Sequence, residues 1–382
     1  MENHLLVEAA SIFGTPIYVY DLPFITQRVK IVQEFFKDFD FRLAYAMKAN
    51  FNKDLLSLLN KLGTMVDVVS FGEYLHALSV GFTPERIIVN GNCKKESELE
   101  RYVKDGVYSI NLDSYEELLR LEKITSKQVR VSIRVNPDVD PKTHPHIATG
   151  LKENKFGVDF DTAHEMIKRI SSNKNFELIG LHCHIGSQIT EVEPYLEAVV
   201  SIKYFAKSVG LNFKVLNLGG GWGIDYGNGK TMSLEEYREK IFPVLKELKS
   251  TIVLELGRWI VAPAAYLVSK VEYVKKTPFK TFVMLDTGMN HLIRPALYGA
   301  KHKILPLYET KGREKIKADV VGPICESADT FRKSYTIPKP KEGELVAICD
   351  VGAYGYAMAS DYNLIPKPRE IIWDGARFSV SS

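Results

Sequence analysis

The 382 residues carry 50 Lys and Arg against 47 Asp and Glu, a net charge of +3, with 45% hydrophobic and 25% charged residues. That apolar content excludes a mainly disordered chain, and the near balance of charge offers no bulk basic surface for nucleic acid. The longest apolar stretch, Trp259–Val268, is too short for a bilayer and is broken by Pro263, and the N-terminus lacks a signal-peptide pattern, so a cytoplasmic protein without a membrane partner is expected. Cys93, Cys183, Cys325 and Cys349 are too few and scattered for a disulfide framework, and each reads first as a buried, inert thiol.

In chain order, Pro16–Tyr20 reads as a strand, followed by a helix capped by Asp21 with Pro23 just inside. Eight short apolar runs then read as strands: Phe41–Met47, Met65–Val69, Arg86–Asn90, Val107–Asn111, Val129–Val135, Leu178–His184, Lys214–Leu218 and Thr251–Glu255. Between them Lys53–Leu62, Glu96–Lys104, Tyr115–Ile124, Thr162–Ile170, Pro194–Val209 and Leu234–Leu248 have helical period, and Ser70-Phe71-Gly72-Glu73 opens another helix with a capping box. The strands show little alternation, as expected for a sheet buried on both faces. Eight strand–helix units over about 215 residues predict a (β/α)8 TIM-type barrel over residues 21–264 rather than a doubly wound open sheet, which the same alternation also fits. Beyond it Ala265–Val274, Lys280–Leu285, Lys303–Tyr308, Glu344–Asp350 and Arg369–Trp373 read as strands without long helices between them. Residues 265–382, joined by 1–20, are expected to form a second, all-β domain packed closely on the barrel.

Barrel enzymes work at the C-terminal ends of their strands. The first predicted barrel strand ends at Lys48, the second carries Asp67, and the sixth ends in His182-Cys183-His184 with Ser187 just beyond. The seventh ends in Gly219-Gly220-Gly221 and the eighth in Glu255-Leu256-Gly257-Arg258. Lys48 leaves an apolar strand, where desolvation favours the neutral amine needed for a Schiff base; a lysine snorkelling to solvent is the plainer alternative. The glycine run lets backbone amides approach an anion, a phosphate above all, or is simply a tight turn. Gly229-Lys230-Thr231 is not a Walker loop, since the required upstream glycine falls at Ile224. His182 and His184, two apart on one strand, could pair on a metal, but no carboxylate or thiol motif accompanies them, and stacking on a cofactor ring suits His184 better. Glu255 and Arg258 read either as a structural ion pair or as a carboxylate for a ring nitrogen beside an anion grip. The second domain concentrates Arg294 and Tyr298, then Cys325 and Glu326, then Tyr354 in a small-residue loop.

Taken together and in order, Tyr-Ala-Met-Lys-Ala-Asn, His-Ile-Gly-Ser-Gln, Gly-Gly-Gly, Glu-Leu-Gly-Arg, Arg-Pro-Ala-Leu-Tyr, Cys-Glu-Ser-Ala-Asp and Gly-Ala-Tyr-Gly-Tyr-Ala-Met resemble the fold-type III, pyridoxal-phosphate-dependent decarboxylases, and within them the family acting on diaminopimelate. The likeness runs from about Pro16 to Ser379; the family usually has Pro where Leu256 stands. It implies that Lys48 carries pyridoxal 5'-phosphate, with Asp67 nearby, His184 stacked on the ring and Glu255 on the ring nitrogen. Ser187, Gly219, Gly220, Gly221, Leu256, Gly257, Arg258 and Tyr354 are implied to bind the cofactor. Arg258, Arg294, Tyr298, Glu326 and Tyr354 are implied to bind substrate, with no metal. Lys48, Cys325 and His184 would be catalytic, Cys325 donating the proton that replaces CO2. Cys325 and Tyr354 would reach the site from the partner subunit of a homodimer. Asn154–Gly157 matches an active-site loop without an assigned role. The implied reaction turns meso-2,6-diaminopimelate into L-lysine and CO2. Two buried arginines left unpaired by ornithine argue for the diaminopimelate end of the family. The rivals are an ornithine, arginine or carboxynorspermidine decarboxylase, a racemase, and a cofactor carrier without catalysis.

Overall fold

The computed structural model describes residues 1–141, 155–227 and 229–382. Eight parallel strands close into a barrel in chain order: β2 (Phe41–Ala46), β3 (Met65–Val68), β4 (Ile87–Val89), β5 (Ser109–Leu112), β6 (Val129–Arg134), β7 (Phe176–His182), β8 (Val215–Asn217) and β9 (Thr251–Leu256). Pairing of β9 with β2, Leu254 opposite Leu43 and Glu255 opposite Ala44, completes the closure. The open-sheet alternative is thereby excluded. The floor of the lumen is filled by Ala44, Met65, Ile88, Ile179, Val215 and Val253, so the barrel is packed there and polar only toward the strand ends.

Local sequence explains the helix starts. Asp21 accepts from the Phe24 amide at 3.0 Å and opens α2 (Leu22–Phe35), while Ser70 accepts from the Glu73 amide at 3.1 Å and opens α4 (Phe71–Ser79). An aromatic cluster under the barrel wall holds α2 in place; Phe36 stacks on Phe41 with centroids 4.4 Å apart, and Trp222 and Tyr237 close around Phe35. Among the described residues no helix is long and apolar enough to cross a membrane.

The remaining strands form a separate nine-stranded sheet. Its centre is β1 (Ile17–Asp21), antiparallel to β10 (Ala265–Lys276) and parallel to β16 (Arg369–Trp373). The sheet also holds β11 (Thr281–Leu285), β12 (Ile304–Pro306), β13 (Lys315–Val321), β14 (Thr330–Pro338), β15 (Leu345–Cys349) and β17 (Phe378–Val380). Three features go beyond the sequence reading. An N-terminal helix, α1 (Asn3–Phe13), buries Leu6, Ala9 and Ala10 against Ile17, Val19, Val268 and Ile371. The hairpin of β13 and β14 has half-exposed strands whose lysines and arginines mask the alternation. A short helix, α11 (Arg294–Tyr298), carries the predicted Arg294 and Tyr298.

Candidate active site

Lys48 stands in a single turn, Met47–Ala49, that breaks β2 between two buried neighbours. Its side chain enters a cavity of about 390 Å³ at the strand ends, lined also by Asn90, Arg134, His182, His184, Ser187, Glu255, Arg258, Tyr298 and Tyr354. Burial alone lowers the Lys48 pKa, but the attraction of Asp67, Tyr354 and Glu255 outweighs it and the net direction is upward. The expectation of a neutral amine from desolvation is therefore corrected: the negative charge shared by the Asp67 and Glu255 carboxyls at the barrel mouth favours the charged form of Lys48.

A hydrogen-bonded network crosses the lumen beneath it. Glu255 Oε1 accepts from Asn90 at 2.8 Å and Asn217 at 2.7 Å, and His182 Nε2 lies 3.1 Å from Oε2. Burial works against this carboxylate, yet His182 and the two amides outweigh it and hold its pKa at about 2. Burial lowers the His182 pKa, so a neutral imidazole donates from Nε2, and its buried Nδ1 has no partner. Asp67 accepts from Asn90 at 2.7 Å through Oδ1, while buried Oδ2 has none. Burial and the Glu255 charge push Asp67 up to about 8, so the negative charge of the pair resides on Glu255. Glu255 and Arg258 are not partners, which removes the ion-pair reading.

Gly219 and Gly221 have left-handed φ of 63° and 101°. A Cβ at Gly220 would stand 2.1 Å from the Glu255 carbonyl oxygen, and one at Gly219 2.8 Å from His184 Nδ1. The run therefore presses backbone against backbone and imidazole. Two of its amides are already taken, however: Gly219 N donates to Asn217 Oδ1 at 2.9 Å and Gly220 N to His184 Nδ1 at 3.1 Å. Only the Gly221 amide donates to no described residue, a narrower anion cradle than three free amides. His184 is thus fixed by its Nδ1 lone pair, and burial holds it neutral.

Arg258 and Arg294 are 6% and 5% exposed, and among the described residues no carboxylate forms an ion pair with either, although Asp350 attracts Arg294 from a longer range. Arg258 donates to Ser187 Oγ at 2.9 Å and Tyr226 Oη at 2.9 Å, and its guanidinium lies 4.8 Å from the Tyr354 ring. Arg294 lies 4.6 Å over the Tyr226 ring, and its Nη1 is 2.8 Å from His302 Nε2. Gly257 packs against Ala49, and Leu256 points into the outer core, so Leu256 presents no side chain to the cavity.

Two placements differ from the sequence expectation. Tyr354 reaches the cavity of its own chain, with its amide bonded to the Ala49 carbonyl at 2.8 Å, so it needs no partner subunit. Cys325 and Glu326 are exposed between β13 and β14 and do not line the cavity within one chain. The Cys325 amide donates to Asn363 at 2.9 Å and Tyr362 donates to Glu326 at 2.7 Å. Exposed Cys93 and Cys325 also depart from the buried-thiol reading, which Cys183 and Cys349 follow. Of the segment 154–157, Asn154 lies outside the described residues; Lys155 and Phe156 line the cavity, and Arg134 lies 4.8 Å from the Phe156 ring. Arg134, Asn90, Asn217, Tyr226 and His302 escaped the sequence reading. The available signal was a lone polar residue within an apolar strand, as in Leu216-Asn217-Leu218.

The residues present suit pyridoxal phosphate: a primary amine, a flat neutral imidazole, a buried carboxylate, and an arginine with a hydroxyl line one cavity, with the glycine run packed on the imidazole. The model for the pyridoxal binding domain of pyridoxal-dependent decarboxylases matches residues 23–262. A diaminopimelate decarboxylase of Aquifex aeolicus is 42% identical over 379 residues, 97% of this chain and 90% of the relative. One from Helicobacter pylori is 42% identical over 372 residues, 96% of this chain and 92% of the relative. The crystal structure of a Helicobacter pylori diaminopimelate decarboxylase complexed with L-lysine superposes with a TM-score of 0.94 at 41% identity, covering 98% of this chain and 95% of that one. With more than half of its length under the family model and relatives at 42% identity covered nearly end to end, the chain belongs to the pyridoxal-dependent decarboxylases and, within them, to the diaminopimelate decarboxylase family.

Proposed function

We propose that this chain decarboxylates meso-2,6-diaminopimelate to L-lysine and CO2 in the cytoplasm, at a site completed by a second copy of itself. The observation that carries this reading is a pair of buried guanidiniums, Arg258 lining the cavity with Lys48 and Arg294 beside Arg258 over the Tyr226 ring, neither in an ion pair with a carboxylate of the described residues. A buried cation without a counter-charge is costly, so the site calls for an anionic ligand. Diaminopimelate brings a second carboxylate at the far end of its seven-carbon chain; ornithine brings no second carboxylate.

Pyridoxal phosphate, when bound, supplies an aldehyde for the substrate amine and a protonated ring that takes up the electron pair left by CO2. Lys48 would hold that cofactor, and His184, fixed by Gly220, would stack on its ring. Glu255, kept ionised by His182, Asn90 and Asn217, holds the proton on the ring nitrogen. Ser187, Arg258 and the Gly221 amide would hold the phosphate. Arg258 and Arg294 grip the distal carboxylate, with Tyr298 and Tyr354 walling the cavity. Cys325 and Glu326, exposed on one chain, fit a role in the site of the other: Cys325 Sγ gives the proton that replaces CO2, and Glu326 takes the distal ammonium. In this reading residues 21–264 bind the cofactor, and 1–20 with 265–382 supply substrate and dimer contacts.

The test is turnover with added cofactor on meso-diaminopimelate, its LL isomer, ornithine and arginine in parallel. Lysine from the meso compound is expected. Preferred CO2 release from ornithine would overturn the roles of Arg294 and Glu326.

A further inference from the structure

His302 is 1% exposed and makes two hydrogen bonds, both inside the second domain. Its Nδ1 lies 2.8 Å from the carbonyl oxygen of Cys349, which can only accept, so Nδ1 carries the proton. Its Nε2 is then a lone pair, 2.8 Å from Arg294 Nη1, which can only donate. The tautomer is fixed from both ends. Tyr226 completes the arrangement: its ring meets His302 edge-on at 5.1 Å, lies under Arg294 at 4.6 Å, and its hydroxyl accepts from Arg258 at 2.9 Å. Arg258 and Arg294 repel one another, yet both are held by neutral acceptors rather than by carboxylates.

We propose that His302 is a positioning residue for substrate selection: anchored on Cys349, it holds the Arg294 guanidinium over the Tyr226 ring and beside Arg258, which lines the cavity, through an acceptor that leaves the arginine's charge available to the distal carboxylate. A carboxylate in the same place would hold Arg294 equally well but would neutralise it. A side chain without an acceptor would leave a buried guanidinium N–H unsatisfied and free to turn away, adding to the Arg294 Nε that already lacks a partner. His302 acts only through Arg294, so its effect belongs to ligands with a distal carboxylate. The inference rests on the substrate reading given above.

The experiment compares the wild-type holoenzyme with His302→Phe, His302→Gln, Arg294→Ala and the double variant of His302→Phe with Arg294→Ala. It measures kcat and KM for meso-diaminopimelate and the inhibition constants of L-lysine, which retains the distal carboxylate, and cadaverine, which lacks it. His302→Phe should raise KM and the L-lysine constant about ten- to a hundredfold, the loss expected for a hydrogen bond to a charged group, with kcat and the cadaverine constant changed less than about threefold. His302→Gln, whose amide oxygen restores an acceptor, should recover most of the loss. In the Arg294→Ala background His302→Phe should add nothing. His302→Met makes the same comparison with a more pliable side chain, so a misfolded His302→Phe does not leave the question open. An unchanged ratio of L-lysine to cadaverine affinity, or an equal penalty with and without Arg294, would overturn the proposal. A wild-type enzyme that binds cadaverine as tightly as L-lysine would instead overturn the reading of Arg294, and this one with it.

Discussion

The backbone amide of Tyr354 donates to the carbonyl of Ala49 at 2.8 Å, fastening a loop of the β domain one residue past Lys48. Asn50 adds a second bond, Nδ2 to the Gly352 carbonyl at 3.0 Å. Gly352 approaches so closely that a Cβ there would stand 1.9 Å from the Val261 carbonyl oxygen. The two domains therefore meet at the cavity, and the Tyr354 ring faces Arg258 because its backbone is pinned to the first barrel strand.

Asn50→Ala removes the Gly352 bond from a buried position and strands its acceptor. The loss should be about 1–3 kcal/mol of stability, with cofactor affinity weakened about tenfold because the loop that places Tyr354 over Arg258 keeps only its bond to Ala49. Denaturant melts and cofactor titration read the two effects separately. Unchanged cofactor affinity would show that the loop is fixed by other contacts.

Gly220→Ala places a methyl group 2.1 Å from the Glu255 carbonyl oxygen, a backbone atom that cannot step aside. The variant should lose about 3 kcal/mol, at the upper end for overpacking, because two barrel strands must separate locally. The urea midpoint with cofactor removed measures this. A loss below about 1 kcal/mol would mean that the strand ends relax readily.

Glu255 carries a depressed pKa, about 2 against an ordinary 4.5, so its ionised form stabilises the fold above about pH 4.5, and that contribution is lost as pH falls toward 2. Glu255→Gln should narrow its stability deficit against wild type across that window, read from denaturant melts at each pH. Asp67, raised to about 8, carries the opposite sign and does not mimic the effect. At neutral pH the variant should bind cofactor but turn over roughly a hundred- to a thousandfold more slowly, since an amide cannot hold the ring proton. Near-normal turnover would remove Glu255 from the chemistry.

The barrel was legible because its strands are continuous apolar runs buried on both faces, and Leu234–Leu248 even has its sequence-predicted bounds. Lys48, Glu255 and Arg258 were legible because they end such runs. The hairpin of β13 and β14 was not, since a half-exposed edge with Lys315, Lys317, Arg332 and Lys333 carries little apolar signal. Nor was the helix α1, whose three buried residues only find their partners on a sheet formed by the far end of the chain. Tyr226, with Arg258 in the barrel, and His302, with Arg294 in the second domain, lie 76 residues apart; only the docking of the β domain brings the two pairs together. The same docking placed Tyr354 in its own chain's cavity, which no spacing argument foresees.

The central claim is a lysine-forming site built from Lys48 of one chain and Cys325 of another. Lys48→Ala and Cys325→Ala enzymes, each tested alone, should form little lysine from meso-diaminopimelate. Dissociated, mixed in equal amounts and reassociated, half of the dimers carry one of each chain, and each such dimer has one intact site of two. Random pairing should therefore restore about a quarter of wild-type lysine formation. Recovery near that level would establish both the reaction and the shared site; a mixture no more active than its components would contradict it.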